Sequence, residues 1–244
     1  MTKIAFRAGI AALATATMLL TGCSSSDSAE PKPGATAQAP ADNGVAALTA
    51  DEILAKAKEA LTKAGSFHMA GSGTSEGTTM TMDFKISGKD LSGKMSMGEG
   101  ADVDILAVGG KQYMKPSEGF WAMLAGPEQA KTMAAATAGK WVLVPAKDTT
   151  SSLFAAADVD ELLKPTGKVA KGEIVQIDGK PAITLTDSGD AEASLFVATT
   201  GEPYVLRNAK AATGDGIVFS EFGSKFDIAA PAADQVIDQA ALGK

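Results

Sequence analysis

The chain is poor in the residues that carry most enzyme chemistry: 244 residues hold one cysteine, one histidine and 5% aromatics. A lone cysteine excludes an internal disulfide framework. The lone histidine, His68, has no Cys/His cluster around it that would ligate zinc. No Gly-x-Ser-x-Gly elbow is present, and Gly71-Ser72-Gly73, followed by Thr74 and Ser75, reads as turn chemistry and not as a phosphate loop. No acid–base or nucleophile constellation stands out, so the expectation is a protein that is not an enzyme and needs no cofactor. Arginine occurs at Arg7 and Arg207 alone, and 29 acidic residues face 22 basic ones. That balance argues against nucleic acid and against electrostatic docking on anionic lipid. No apolar run reaches the ~20 residues a membrane-spanning helix needs.

What is present at the N-terminus is informative. Lys3 and Arg7 precede an apolar run over residues 8–20, which ends in Leu20-Thr21-Gly22-Cys23 and turns abruptly to Ser24-Ser25-Ser26-Asp27-Ser28. The run is too short to span a bilayer and suits a signal-peptide core. The four residues resemble a bacterial lipobox. The resemblance implies removal of residues 1–22 as a lipoprotein signal peptide, and diacylglycerol and an acyl chain such as palmitate on Cys23. Such lipidation would anchor the protein to the cell membrane on its extracytoplasmic face, where two signals hold stably and one acyl chain does not. Residues 23–47 are Ser, Ala, Pro and Gly with little apolar content, a lipidated flexible tether reaching roughly 25–30 Å. Residues 48–244 then suit one domain of sandwich or barrel type.

Within that domain Thr49 and Glu52 form a capping-box pattern, and Ile53, Leu54, Ala57, Leu61 and Ala64 recur at helical spacing up to Gly65. Residues 80–86 and 91–97 alternate apolar and polar around Ser87-Gly88-Lys89-Asp90, a hairpin. A second hairpin turns at Gly109-Gly110. Gly126-Pro127 opens a helix to about Ala138, a short strand covers 141–145, and two short helices are expected over 151–157 and 158–164, the second capped by Asp158. Five strands then follow over 169–177, 182–186, 191–198, 204–211 and 217–222. Their even spacing predicts an antiparallel meander. In the last of them, Ile217-Val218-Phe219 leaves the inward face undetermined.

This order, with Ala64-Gly65-Ser66-Phe67-His68, Val108-Gly109-Gly110-Lys111-Gln112-Tyr113-Met114, Gly139-Lys140-Trp141-Val142, Ile177-Asp178-Gly179-Lys180-Pro181 and Thr200-Gly201-Glu202-Pro203-Tyr204, resembles the LolA-like lipoproteins, and among them the actinobacterial LppX/LprG group. The resemblance implies an α+β domain: a strongly curved antiparallel half-barrel, helices over its concave face, and an apolar cavity that takes a lipid or lipidated molecule for carriage or presentation in the cell envelope. LolA-like folds also resemble envelope sensors that bind a protein partner, which is the alternative.

The composition fits a pliable wall. Met80, Met82, Met95 and Met97 share one face of the first hairpin with Phe84, Ile86 and Leu91, and methionine lines adaptable apolar surfaces. These seven are the expected cavity lining, although methionines equally fill an ordinary core. Trp121 and Trp141 either join them at the mouth or pack the helical insert onto the sheet. Two Met-x-Met pairs near His68-Met69 could select a soft metal, but strand alternation explains the spacing without one. Glu99, Asp102 and Asp104 read as a solvated turn in preference to a calcium site. No metal is expected, and Arg207 is a candidate for a specific ion pair.

Overall fold

Twelve strands form a single sheet in this computed structural model, which describes residues 41–75, 77–98, 100–145 and 149–238. The strands are β1 (Ser66–Ser75), β2 (Thr78–Ser87), β3 (Asp90–Met97), β4 (Asp102–Val108), β5 (Lys111–Pro116), β6 (Trp141–Val144), β7 (Val169–Ile177), β8 (Lys180–Asp187), β9 (Asp190–Ala198), β10 (Val205–Ala209), β11 (Gly216–Ser220) and β12 (Val236–Asp238). Their order is β12-β6-β5-β4-β3-β2-β1-β11-β10-β9-β8-β7. Two antiparallel meanders, β1–β6 and β7–β11, are therefore joined along one seam, where β1 pairs with β11 in the register His68↔Ser220 to Ser72↔Gly216. β12 adds to β6 in parallel. The edges β12 and β7 stay apart in this order, so the sheet is curved but unclosed.

Among the described residues four α-helices accompany it: α1 (Ala50–Ala64), α2 (Glu118–Ala125), α3 (Pro127–Thr137) and α4 (Val159–Leu162), with a long 3-10 helix at Thr149–Ala157. The capping box that opens α1 is complete. The Thr49 amide donates to Glu52 at 2.9 Å and the Glu52 amide donates to Thr49 Oγ1 at 3.4 Å. The Thr49 amide and the Thr49 hydroxyl, which donates to Glu52 Oε2 at 2.7 Å, hold the Glu52 carboxyl below the usual range. The apolar stripe Ile53, Leu54, Ala57, Ala60 and Leu61 is buried, and Gly65, at φ 72°, closes the helix by donating to Leu61 and Thr62 carbonyls.

A single core gathers α1, Phe120 and Trp121 of α2, Phe154 of the 3-10 helix and Leu163 with inward side chains of β1 to β6 and β8 to β11. Flat sheets cannot bring strands so far apart onto one cluster; the curvature does. A smaller cluster lies on the convex side of the second meander, with Ile177, Ala182, Phe196, Ala198, Leu206 and Ala209.

The structure revises four expectations. Gly71 and Gly73 sit inside β1 and not in a turn. The insert holds two helices where the Gly126-Pro127 signal predicts one, because Ser117 caps an additional helix by accepting from the Phe120 amide at 3.1 Å. The 3-10 helix starts at Thr149. Residues 42–45, expected to belong to the tether, are docked on the domain: Asp42 bridges Thr200, Asn43 Nδ2 donates to Ala198 and Gly201 carbonyls at 3.0 Å each, and Val45 is buried. A short polar segment with one apolar side chain docks when its backbone groups find partners, which composition alone does not reveal.

Candidate functional site

The sheet has two ends. At the proximal end α1 runs through Gly65 into β1, and the β2–β3, β4–β5, β7–β8 and β9–β10 turns lie there. At the distal end lie the β1–β2, β3–β4, β8–β9 and β10–β11 turns. The helix pair α2–α3, inserted between β5 and β6, belongs to that end as well.

Two open clefts adjoin at the distal end. The larger, of about 470 Å³, is lined by Ser72, Gly73 and Thr74 of β1, Met80 and Met82 of β2, Ala193, Asn208 and Ala209, and Lys210, Asp215, Gly216 and Ile217. The smaller, of about 170 Å³, shares Ala193 and Asn208 with it and continues to Leu54 of α1, Leu163, Val169, Leu185 and Leu195. The larger volume falls within the range of small-ligand sites; the smaller alone does not. At the proximal end a third cleft of about 350 Å³ lies beside Leu61, Phe67, Ile86 and Val159.

Strand register decides where each expected lining residue stands. Met80 faces Met97 and Met82 faces Met95 across β2 and β3. Met80, at 39% exposure, and the half-buried Met82 line the larger cleft. Phe84, Leu91, Met95 and Trp121 are instead buried core, and Met97 packs against that core. Ile86 is buried too, where the core meets the proximal cleft. Helices and the 3-10 segment fill this half of the concave face, so side chains expected as cavity wall became interior. Trp141 is on the opposite face. In β6 the alternate residues Val142 and Val144 enter the core, so parity turns Trp141 outward, under the Lys115 ammonium at 5.2 Å from its ring centre.

The same parity separates His68 from the methionines. Its neighbours Phe67 and Met69 point into the core, and its ring lies outside against Asp83 Oδ1 at 2.8 Å, Ser220 Oγ at 3.4 Å and Glu221 Oε1 at 3.7 Å. No thioether of β2 shares that face, so the soft-metal grouping does not assemble. Among the described residues no cluster of three or more His, Cys, Asp or Glu could hold a metal. Asp102 pairs with Lys94 at 3.6 Å, and Glu99 lies outside the described residues, as does Cys23. Arg207, on the convex face opposite Val218 and Phe196, is 92% buried without an ion pair among the described residues. Its Nη2 donates to the Gly214 carbonyl, which ties down the loop that walls the larger cleft.

The rim of the smaller cleft is pinned by one carboxylate. Asp187 accepts from the Thr166 amide at 2.6 Å, Thr166 Oγ1 at 3.0 Å and the Gly189 amide at 2.9 Å. These donors, the Gly189 amide first, hold its carboxyl below the usual range. A depressed carboxylate stabilises the fold above its unfolded pKa, ~3.9, and loses that contribution as pH falls through the lower folded value. The urea midpoints of wild type and Asp187→Asn should therefore differ by a constant amount from pH 7 to 5, and converge below pH ~4. A gap that persists unchanged at pH 2.5 would show that the charge is not the pin.

What sequence reasoning missed here is the floor. Gly73 falls on the inward parity of Phe67 and Met69, a signal visible once the residues are read as a strand. Among the described residues no helix is long and apolar enough to cross a membrane. No protein family matches the chain, and no curated protein does. Among solved structures, the chain is similar to the crystal structure of the Mycobacterium tuberculosis lipoprotein LppX, with a TM-score of 0.44 and 15% identity over 73% of this chain and 99% of that one.

Proposed function

We propose that this protein is a lipid-anchored lipoprotein of the LolA-like kind, held at the extracytoplasmic face of the cell membrane, that binds the acyl part of a lipid or lipidated molecule in the distal clefts. It carries or presents that molecule in the cell envelope and performs no chemistry on it. The observation that carries this reading is the thioether wall of Met80 and Met82 over an open trough, where the sheet's apolar inner face continues beyond its packed core. Unbranched, polarizable thioethers accommodate flexible chains. Each methylene taken from water is worth ~0.8 kcal/mol, so ~10 methylenes give a gross ~8 kcal/mol against the cost of association.

The test is mass spectrometry of a solvent extract from residues 24–244 produced in a bacterial host. A stoichiometric lipid is expected, and Met82→Lys, which sets a charge on the wall, should lose most of it. A folded, lipid-free wild type would overturn the reading. It would favour the second one, an envelope module that binds a protein partner, which rests on Met123 and Leu124 standing side by side at 49% and 46% exposure near the end of α2.

A further inference from the structure

We propose that Gly73 sets the bore of the larger distal cleft, so that the cleft admits one unbranched acyl chain and rejects a methyl-branched one. The inference rests on the reading of that cleft as an acyl site and adds its selectivity. β1 lies between β2 and β11, and its inward positions run Phe67, Met69, Gly71, Gly73. Phe67 and Met69 fill the core, and at Gly71 and Gly73 the strand presents no side chain to the concave face. Its neighbours do. Met82 faces Gly71 and Met80 faces Gly73 from β2, while Ile217 faces Gly71 from β11.

Adjacent strands are ~4.8 Å apart, which puts the Met82 and Ile217 walls ~10 Å apart, centre to centre, beside Gly71. At Gly73, one residue beyond the last β1–β11 pair, Met80 remains as the β2 wall and the β10–β11 loop at Asp215 borders the other side. Their own side-chain thickness leaves a trough about one extended hydrocarbon chain wide, ~4–5 Å. An extended peptide with side chains is wider than that, so a lipid chain is the occupant that fits. The lining also offers groups for the polar end of such a molecule: Asn208, where the two clefts meet, supplies an amide, and Lys210 and Asp215 a cation and an anion, beside the hydroxyl residues Ser72 and Thr74.

The two glycines differ in why they are there. A Cβ on Gly71 would lie 1.9 Å from the Gly216 carbonyl oxygen, so the seam between β1 and β11 itself requires glycine. A Cβ on Gly73 would meet nothing within 4 Å, and its φ lies outside the left-handed range. The backbone tolerates a side chain at Gly73, and the space that chain would take is the trough. Gly73 therefore reports on the ligand and Gly71 on the fold.

The experiment uses cis-parinaric acid, a linear fluorescent fatty acid, as the probe on the delipidated chain, with palmitate and methyl-branched phytanate as competitors. Wild type should bind one probe, displaced by palmitate at least tenfold more effectively than by phytanate. Gly73→Leu should weaken probe binding at least tenfold and Gly73→Ala a few-fold, both melting within a few degrees of wild type. Equal displacement by phytanate and palmitate overturns the proposal, a result that needs no variant to fold. So does a folded Gly73→Leu that binds as wild type does while Met82→Lys fails to bind, which would keep the acyl site and remove Gly73 from it. A wild type that takes up no probe removes the acyl site as well as the selectivity.

Discussion

Phe84→Ala is expected to lower the unfolding free energy by about 3–5 kcal/mol, measured by urea denaturation. The ring is 1% exposed and stands opposite Gly93 across β2 and β3. A Cβ built on Gly93 would meet a Phe84 ring carbon at 2.4 Å, so the ring lies flat over the glycine. Truncating it removes the transfer term and leaves a void that neither the sheet backbone nor the glycine opposite can fill. Met80→Ala, two turns of the β repeat away on the same face, should cost within ~0.5 kcal/mol, because its side chain borders open space. The two variants separate packed interior from cleft wall along one strand. A Phe84→Ala cost below 1 kcal/mol would place the ring in a ligand space and not in the core.

Cys23→Ala is expected to move the protein from the membrane fraction to the soluble one and to abolish incorporation of labelled palmitate. Residues 8–20 are too short to hold a chain in a bilayer, so without the thiol the expected anchor has no second route. Incorporation should fall to background, because a lipid that needs a sulfur has one cysteine to use. If Cys23→Ala stays with the membrane and still takes up palmitate, the lipoprotein reading fails, whatever the cleft binds.

Much of the fold was legible where one local rule was sufficient. The Thr49–Glu52 capping box and Gly65 bounded α1 correctly because caps are local chemistry. The β2–β3 register followed from clean alternation around a tight turn. Where apolar residues ran on both faces, sequence could not choose a side. Trp141-Val142-Leu143-Val144 is such a run, and only its neighbours in the sheet turned Trp141 outward. Ile217-Val218-Phe219 is another. There Phe219 stacks inward on Phe67 with ring centres 5.9 Å apart, and Val218 pairs with Arg207 outside. α2 was hidden by Gly119, which lowers helix propensity yet is needed, because a Cβ there would sit 2.2 Å from the Gly100 carbonyl oxygen. The candidate site was half legible. Methionine's character pointed to Met80 and Met82, which line the larger cleft, whereas the floor between the walls consists of side chains that are not there.

The seam between β1 and β11 sets a timetable. Synthesis runs from the N-terminus, and β1 is complete about 145 residues before β11 (Gly216–Ser220), its partner along that edge. At ~5–20 residues per second the delay is roughly 7–30 s. Through that interval the first meander can pair strand by strand, but the outer edge of β1 remains an unsatisfied template for any other strand. Contacts this distant in sequence also make the final closure slow. The cell must therefore keep the young chain from aggregating until its last third arrives, and a chain shortened before residue 216 would leave that edge bare for good.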